Sequence, residues 1–462
     1  PVQVVDHFLY EHPPSFLLGT IDKFAMLTWD GRGRAFFGAP AVSGNPSFRP
    51  PDLVIQDELH LISGPLGTIA AVYESAIDVV LAQRGMSPKI VAATATMRGA
   101  DTQARRLYAR QVRVFPAPGV DADDSWFMHE DRTDGAPNRR YIGLLGQAHS
   151  PVTNTVHSTA ALLNAGEESA RTDTFWTTLA YHNSRRELGK TMTLGRDDIP
   201  DRIKVALNPR PRKCSNVREL SGNIAGWEVP ERLKELDLER GHAEAVDLLP
   251  CTNMISVGVD VGRLNSMIVM GQPKTTAEYI QATSRVGRQR DGAGVVLVNF
   301  SPTKPRDRSH FESFRRFHDA LYRWVEPTSV TPESGPALDR ALHAAVILAV
   351  RLWRLPDDEQ AKDLATMADD DLQDVLNRLV DRLQSASGSR ELAEERIREI
   401  FDWWRAAIEE ALSAGRSFKY RSEAQYRGLI RRFGTPLKDE SKETLQSMRN
   451  VDGEVPTSVE KW

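Results

Sequence analysis

Two segments more than 200 residues apart constrain this chain more than anything else in it. The first is Val54-Ile55-Gln56-Asp57-Glu58-Leu59-His60, an apolar run that ends in two carboxylates and a histidine. The second is Gln281-Ala282-Thr283-Ser284-Arg285-Val286-Gly287-Arg288, with two arginines three apart. A short, fully apolar run such as Leu53-Val54-Ile55 reads as a strand of a parallel sheet covered on both faces. A loop after such a strand can hold a carboxylate against a magnesium ion. Arginines on a distant segment can neutralise a phosphate. The expectation is an α/β protein whose phosphate chemistry is assembled from both segments.

The bulk properties narrow this only a little. A length of 462 residues suggests about three domains. Apolar residues make up 40%, enough for ordinary cores, and the net charge of -4 gives no global basic field. A locally basic groove for nucleic acid is still compatible with that charge. The two cysteines, Cys214 and Cys251, argue against a zinc cluster or disulfide framework and suit a reducing cytoplasm. In the C-terminal third the longest apolar stretch, Ala344 to Val350, is ended by Arg351. It is far short of the roughly 20 residues a membrane span needs, and no membrane is expected. The first residue is Pro1, with no charged-then-apolar leader pattern. An N-terminus lying inside a longer chain fits that start.

Along the chain, residues 1 to about 115 alternate strand and helix. Phe16 to Thr20 reads as a strand, Leu53 to Ile55 and Lys89 to Thr94 as two more, and Ile69 to Gln83 and Gly99 to Arg110 as helices. Alternation of this kind indicates an α/β fold. Residues 116 to about 170 are weakly patterned and read as a linker or insert, opened by Pro116-Ala117-Pro118-Gly119. From 171 to about 303 the pattern resumes, with strands at Phe175 to Ala180, Val217 to Leu220, Ala245 to Pro250, Asn265 to Met270 and Val295 to Phe300. From 304 to 462 the chain turns charged and helical, with a 3.6-residue apolar period.

ATP hydrolysis needs a divalent metal, an oriented water and positive charge against the γ-phosphate. Asp57 is placed to hold Mg2+, with Glu58 beside it to polarise the water. His60, two residues on, is placed to sense the nucleotide. Arg285 and Arg288 are the candidate arginine fingers; at spacing three they are expected on one helix face, with Gln281 a turn back. Thr94 and Thr96 follow a strand, where small hydroxyl residues can bond the acidic loop and relay nucleotide state. Loops after strands offer phosphate contacts that position a nucleic-acid strand without reading its sequence. The candidates are Gly19, Thr20 and Lys23, then Asn183, Ser184, Ser221 and Gly222. Gly189-Lys190-Thr191 ends like a phosphate loop, but the first glycine of that motif would fall on Ser184. It is rejected as a nucleotide site. Nowhere does the chain contain G-x-x-x-x-G-K-[ST].

The acidic and arginine segments resemble the corresponding motifs of superfamily 2 helicases, which hydrolyse ATP between two RecA-like lobes. Thr252, Gly258 and Asp260 match the helicase pattern of a threonine followed by a glycine and an aspartate two apart. The resemblance implies that Thr252 touches a nucleic-acid phosphate, Gly258 lets backbone approach the nucleotide and Asp260 bonds its ribose. A narrower likeness rests on Gly19-Thr20-Ile21-Asp22-Lys23-Phe24, on Gln56 to Gly67, on Tyr181-His182-Asn183-Ser184 and on Gly271 to Arg288. Gln446-Ser447-Met448-Arg449-Asn450-Val451-Asp452 extends it. This series looks like the DrmA family, the helicase components of the bacterial DISARM anti-phage system. That implies a DNA-dependent ATPase acting with a partner that carries a helicase-associated domain and with a DNA methyltransferase.

The expected fold is therefore two RecA-like lobes of parallel sheet flanked by helices, the first incomplete, followed by an α-helical C-terminal region. Residues 1–115 would be the C-terminal part of the ATP-binding lobe, 171–303 the second lobe, and 304–462 a helical region bracing that lobe or docking a partner. The expected cofactors are ATP and Mg2+ and the expected partner is DNA. With no phosphate loop in it, the chain is expected to lack the front of its first lobe and to be inactive alone. An RNA or repair helicase, or a non-catalytic nucleic-acid-binding or assembly module, are the alternatives.

Overall fold

The computed structural model describes residues 2–41, 47–94, 98–117, 120, 126, 139–147, 149–169, 173–205, 211–256, 261–288, 293–387, 390–422, 427–435 and 441–448. The chain divides into two compact units, one of Pro1–Phe115 with Pro327–Trp462, the other of Pro116–Glu326.

In the front part of the first unit, β1 (Leu53–Gln56) pairs in parallel with β2 (Lys89–Ala92), Leu53 opposite Lys89. The sequence suggested strands covered on both faces. Instead Leu53 is 48% exposed, Ile55 61% and Val91 46%, all on one face of a sheet that has two strands among the described residues. Phe16 to Thr20 forms no strand; Leu17 and Leu18 are exposed and a five-residue helix, Ile21–Ala25, follows. The helix Gly64–Gln83 is long and apolar enough to cross a membrane by length and composition. It is a core helix here, with Ile69 to Val72 and Val79 to Leu81 almost fully buried. A shorter helix, Ala100–Tyr108, buries Gln103, Ala104, Leu107 and Tyr108.

The second unit is built on a five-stranded sheet in the order β3-β7-β6-β4-β5, every neighbouring pair parallel. The strands are β3 (Arg140–Leu145), β4 (Thr178–His182), β5 (Leu248–Cys251), β6 (Ser266–Met270) and β7 (Val295–Phe300). β4, β5 and β6 are buried at every position, as apolar runs must be when helices cover both faces. The pleat sorts the side chains. Leu179, Tyr181, Met267 and Val269 enter one core with Tyr279 and Val286. Ala180, Ile268 and Met270 enter the other, with Val156, Ala160 and Leu163 of the helix Pro151–Glu168. β3 and that helix lie in the stretch read as a linker. The signals were present: Tyr141 to Leu145 is a strand-like run, and Ser150 caps the helix through Thr153 N–H at 3.1 Å, with Pro151 in its first turn. Val217 and Leu220 form only isolated bridges to β5.

Residues 304–326 stay with the second unit, but residues 327–462 return to the first. The helix Gly335–Trp353 is buried almost continuously from Ala341 to Leu352 and shares a core with Gly64–Gln83. A helix apolar on nearly every side has to be covered on every side, which is why this helix joins the core of the first unit. Two further helices, Asp369–Ser387 and Arg390–Ser413, lead to a small sheet, β8 (Phe418–Arg421), β9 (Arg427–Arg432) and β10 (Lys442–Thr444), in the order β10-β9-β8. The strands are unexpected in a region read as helical. The chain ends are stitched together by polar contacts. Trp29 Nε1 donates to Leu445 O at 3.0 Å, and Ser447 Oγ donates to Asp22 Oδ1 at 2.6 Å.

Candidate nucleotide and nucleic-acid sites

In the first unit, β1 delivers Asp57 and Glu58 at its carboxyl end. Asp57 Oδ1 accepts from Glu58 N at 2.9 Å. Glu58 sits at φ 51°, in the left-handed region that non-glycine residues avoid. Leu59–Leu61 then forms a single 3-10 turn. Two backbone bonds tie this turn to the end of β2: Ala93 N donates to Gln56 O, and Leu59 N donates to Ala93 O, both at 2.9 Å. His60 is buried, with Nδ1 3.4 Å from Glu58 Oε2 and 3.5 Å from Thr94 Oγ1. The structure therefore brings together Asp57, Glu58, His60 and Thr94; Thr96 lies outside the described residues.

Sequence reasoning missed Gln103. Its side chain is 1% exposed, and Nε2 donates to Leu59 O at 3.1 Å and Ile62 O at 2.7 Å. It clamps the turn that follows the two carboxylates. A lone glutamine on an amphipathic helix carries no signal for that role in the sequence.

Among the described residues no group of three or more His, Cys, Asp or Glu side chains could cage a metal. Two adjacent hard carboxylates suit Mg2+, which keeps several of its own waters. The donor set at Asp57 and Glu58 fits that ion.

In the second unit, the helix Thr276–Thr283 carries Gln281 and ends before the arginines. The expectation that Arg285 and Arg288 share a helix face is corrected here. Gly287 adopts φ 67° and turns the chain, donating its N–H to Leu264 O at 2.9 Å. A Cβ at this position would stand 2.6 Å from Gly294 N, so only glycine fits. Arg285 is half-buried and Arg288 exposed on the turn around the buried Val286. Gly258 and Asp260 lie outside the described residues.

Several strand-gripping candidates converge at the carboxyl ends of β4 and β5. Ser184 caps the helix Arg185–Arg196 by accepting from Glu187 N at 3.3 Å. Ser221 is fully buried, donating to Glu219 Oε1 and accepting from Asn223 N. Arg185 reaches Asn223 Oδ1 at 3.2 Å, and Thr252 N donates to Leu220 O at 3.2 Å, so the three loops share one edge. Gly222 is exposed there, as are Arg185 and Arg186, two basic residues the motif reading passed over. Asn183 instead holds the loop after β6, with Nδ2 within 3.4 Å of the carbonyls of Met270, Gly271 and Gln272. Burial pushes the neighbouring His182 down to about 4, so it is neutral. In the first unit Gly19, Thr20 and Lys23 are exposed, and Thr20 makes no side-chain cap. The rejected segment Gly189-Lys190-Thr191 lies inside the helix Arg185–Arg196.

Comparison with known proteins fits this geometry. The helicase conserved C-terminal domain family matches residues 214–290. The DISARM protein DrmA of Bacillus paralicheniformis is 36% identical over 98% of this chain and 44% of its own length. The ATP-dependent helicase HRQ1 of Saccharomyces cerevisiae is 29% identical over 21% of the chain and 9% of its own. Among solved structures, the DUF1998 helicase MrfA bound to DNA and AMPPNP matches with TM-score 0.50 at 18% identity, covering 71% of this chain and 40% of MrfA. The Mycobacterium smegmatis helicase Lhr bound to single-stranded DNA and AMP-PNP matches with TM-score 0.51 at 16% identity, covering 76% and 40%. At these identities the structural matches speak for the fold, parallel sheets flanked by helices of the RecA-like kind. The chain spans less than half the length of the DrmA protein it matches. Over nearly its whole length the chain is similar in sequence to the DISARM protein DrmA, and within it residues 214–290 match the helicase conserved C-terminal domain family.

Proposed function

We propose that this chain supplies both parts of an ATP-hydrolysing motor that moves on DNA in a bacterial anti-phage system. The observation that carries the reading is the acidic turn. Two carboxylates stand at the end of a parallel strand, the second in a left-handed conformation, with His60 placed between Glu58 and Thr94. Non-glycine strain of this kind concentrates at functional sites. Asp57 and Glu58 are the residues that would hold Mg2+, which when bound neutralises charge on the ATP phosphates. Glu58 orients the attacking water, and Arg285 and Arg288 supply positive charge against the γ-phosphate. Gly258 and Asp260 would serve the nucleotide's ribose side, and Thr94 and Thr96 the relay. DNA phosphates would be gripped at Gly19, Thr20 and Lys23 and at the edge formed by Ser184, Arg185, Gly222 and Thr252. The hydroxyls of Ser184 and Ser221 are already engaged, which shifts that role toward Arg185 and exposed backbone. The likeness to DrmA supports work beside DISARM partner proteins, and the buried free thiols of Cys214 and Cys251 fit a cytoplasmic setting.

The test is Mg2+-dependent ATP hydrolysis by the natural gene product containing this chain. It is run without nucleic acid and with single-stranded DNA, duplex DNA or RNA of one sequence. Stimulation by DNA and not by RNA supports the proposal. Stimulation by RNA and not by DNA would make it an RNA helicase, since dependence on the 2′-hydroxyl separates the two, and equal stimulation would overturn the DNA specificity proposed.

A further inference from the structure

The chain leaves the second unit at Glu326 and enters the first at Pro327. Each side of that peptide bond is anchored to a different part of the proposed motor. On the second-unit side, the Glu326 carboxylate accepts from Thr276 N at 2.9 and 3.1 Å and from Thr276 Oγ1 at 3.0 Å. Thr276 is the first residue of the helix that leads into Arg285 and Arg288. A carboxylate there satisfies an orphan donor and complements the helix dipole. The segment before Glu326 wraps the same helix: His318 Nε2 lies 2.9 Å from the hydroxyl of Tyr279, and Val325 is buried.

On the first-unit side, Pro327 bridges Arg98, and the Thr328 hydroxyl donates to Gln103 Oε1. Gln103 Nε2 holds Leu59 O and Ile62 O. The next residue, Ser329, accepts from Gly64 N at 2.8 Å. Val330 is fully buried with its carbonyl on Arg106, and Thr331 N donates to Thr68 Oγ1 at 3.0 Å. Gln103 thus uses both amide hydrogens and its carbonyl. It joins the crossing segment to the turn that carries Glu58 and His60.

We propose that residues 326–331 are a strap coupling the arginine helix to the acidic turn, with Glu326 and Gln103 as positioning residues for hydrolysis. The cap on one motif and the clamp on the other are consecutive along the chain, so loosening either end alters the restraint on the other. This rests on the hydrolysis reading for its purpose, but the coupling itself is measurable without ATP.

The experiment is hydrogen exchange on the 462-residue chain, wild type beside Glu326→Ala, Glu326→Gln and Gln103→Ala, with ATP turnover measured on the natural gene product carrying the same changes. Glu326→Ala is expected to speed exchange at least tenfold at residues 276–279 and also at 59–64. Glu326→Gln, which keeps an acceptor for Thr276, restores most of the protection at both places. Linkage is reciprocal, so Gln103→Ala must loosen 276–279 as well as 59–64. In turnover, Glu326→Ala lowers DNA-stimulated kcat at least tenfold with KM for ATP within about twofold. A purely local cap would not move residues 59–64, and a change confined to 276–279 overturns the strap whatever the hydrolysis rates. Coupled exchange together with turnover that survives Glu58→Gln would support the strap and overturn the hydrolysis reading alone.

Discussion

Glu58 combines a charge the chemistry needs with a backbone conformation its side chain disfavours. A left-handed L-residue costs roughly 1–2 kcal/mol, and here three bonds hold it: to Asp57 Oδ1, from Leu61 N, and through Leu59 to Ala93. Asparagine tolerates this region better. Glu58→Asn is therefore expected to keep or raise thermal stability, by up to about 1 kcal/mol, while abolishing ATP turnover. A clear loss of stability in a melting experiment would show that the strain reading is wrong. Gly287 is the opposite case, a residue defined by having no side chain. Gly287→Ala meets both the positive φ and backbone at 2.6 Å, and should cost at least about 1 kcal/mol. Unchanged denaturant midpoints would contradict that. The acidic pair and the glycine between the arginines were legible in the sequence because each is a chemical type at a motif position. Gln103 was not, because its role comes from three partners brought together only by folding.

Among elements, those with a strong period or a fully apolar run were readable. β7 starts and ends where the apolar series Val295 to Phe300 does. β3 was missed although Tyr141 to Leu145 is a strand-like run, because weakly patterned residues surround it and its partner β7 lies about 150 residues away. The strand read at Phe16 to Thr20 is not formed: among the described residues it pairs with no other strand, and local pattern without pairing gives no ladder. The helix Gly335–Trp353 shows what its neighbours demand. Arg351, 2% exposed, donates to Thr28 O at 3.0 Å and Pro356 O at 3.2 Å, pairs with Asp358 and lies 4.2 Å from the Tyr420 ring centroid. Arg351→Met should destabilise the first unit by about 3 kcal/mol, because it strands the buried Thr28 carbonyl and leaves the half-buried Asp358 carboxylate unpaired. Calorimetry on the chain would read this directly. On the same helix His343, with Nε2 3.1 Å from Thr444 Oγ1, is driven down to about 3 by burial. The unfolded chain, with an ordinary histidine near 6.5, takes up the proton first. The stability from neutral His343 is therefore complete above about pH 6.5 and is lost as pH falls toward 3, at up to about 1.4 kcal/mol per pH unit. His343→Gln should flatten that slope; an unchanged slope would assign the acid sensitivity to other groups.

For the whole molecule, composition and motif order gave the two sheet-bearing units but not their membership. The periodic helices after residue 304 looked like a region of their own. Burial shows that most of them complete the core begun by Gly64–Gln83, so the first unit is made from both ends of the sequence. An amphipathic helix advertises a buried face, not the face it will meet. The motor proposed here requires both the acidic turn and the arginine segment for ATP hydrolysis. The most direct measurement is DNA-stimulated ATP turnover by the natural gene product, wild type beside Glu58→Gln and Arg285→Ala, with DNA affinity measured in parallel. The account predicts that each substitution lowers kcat by at least about 100-fold while DNA affinity changes little. Turnover that survives either substitution, with DNA still bound, would contradict it.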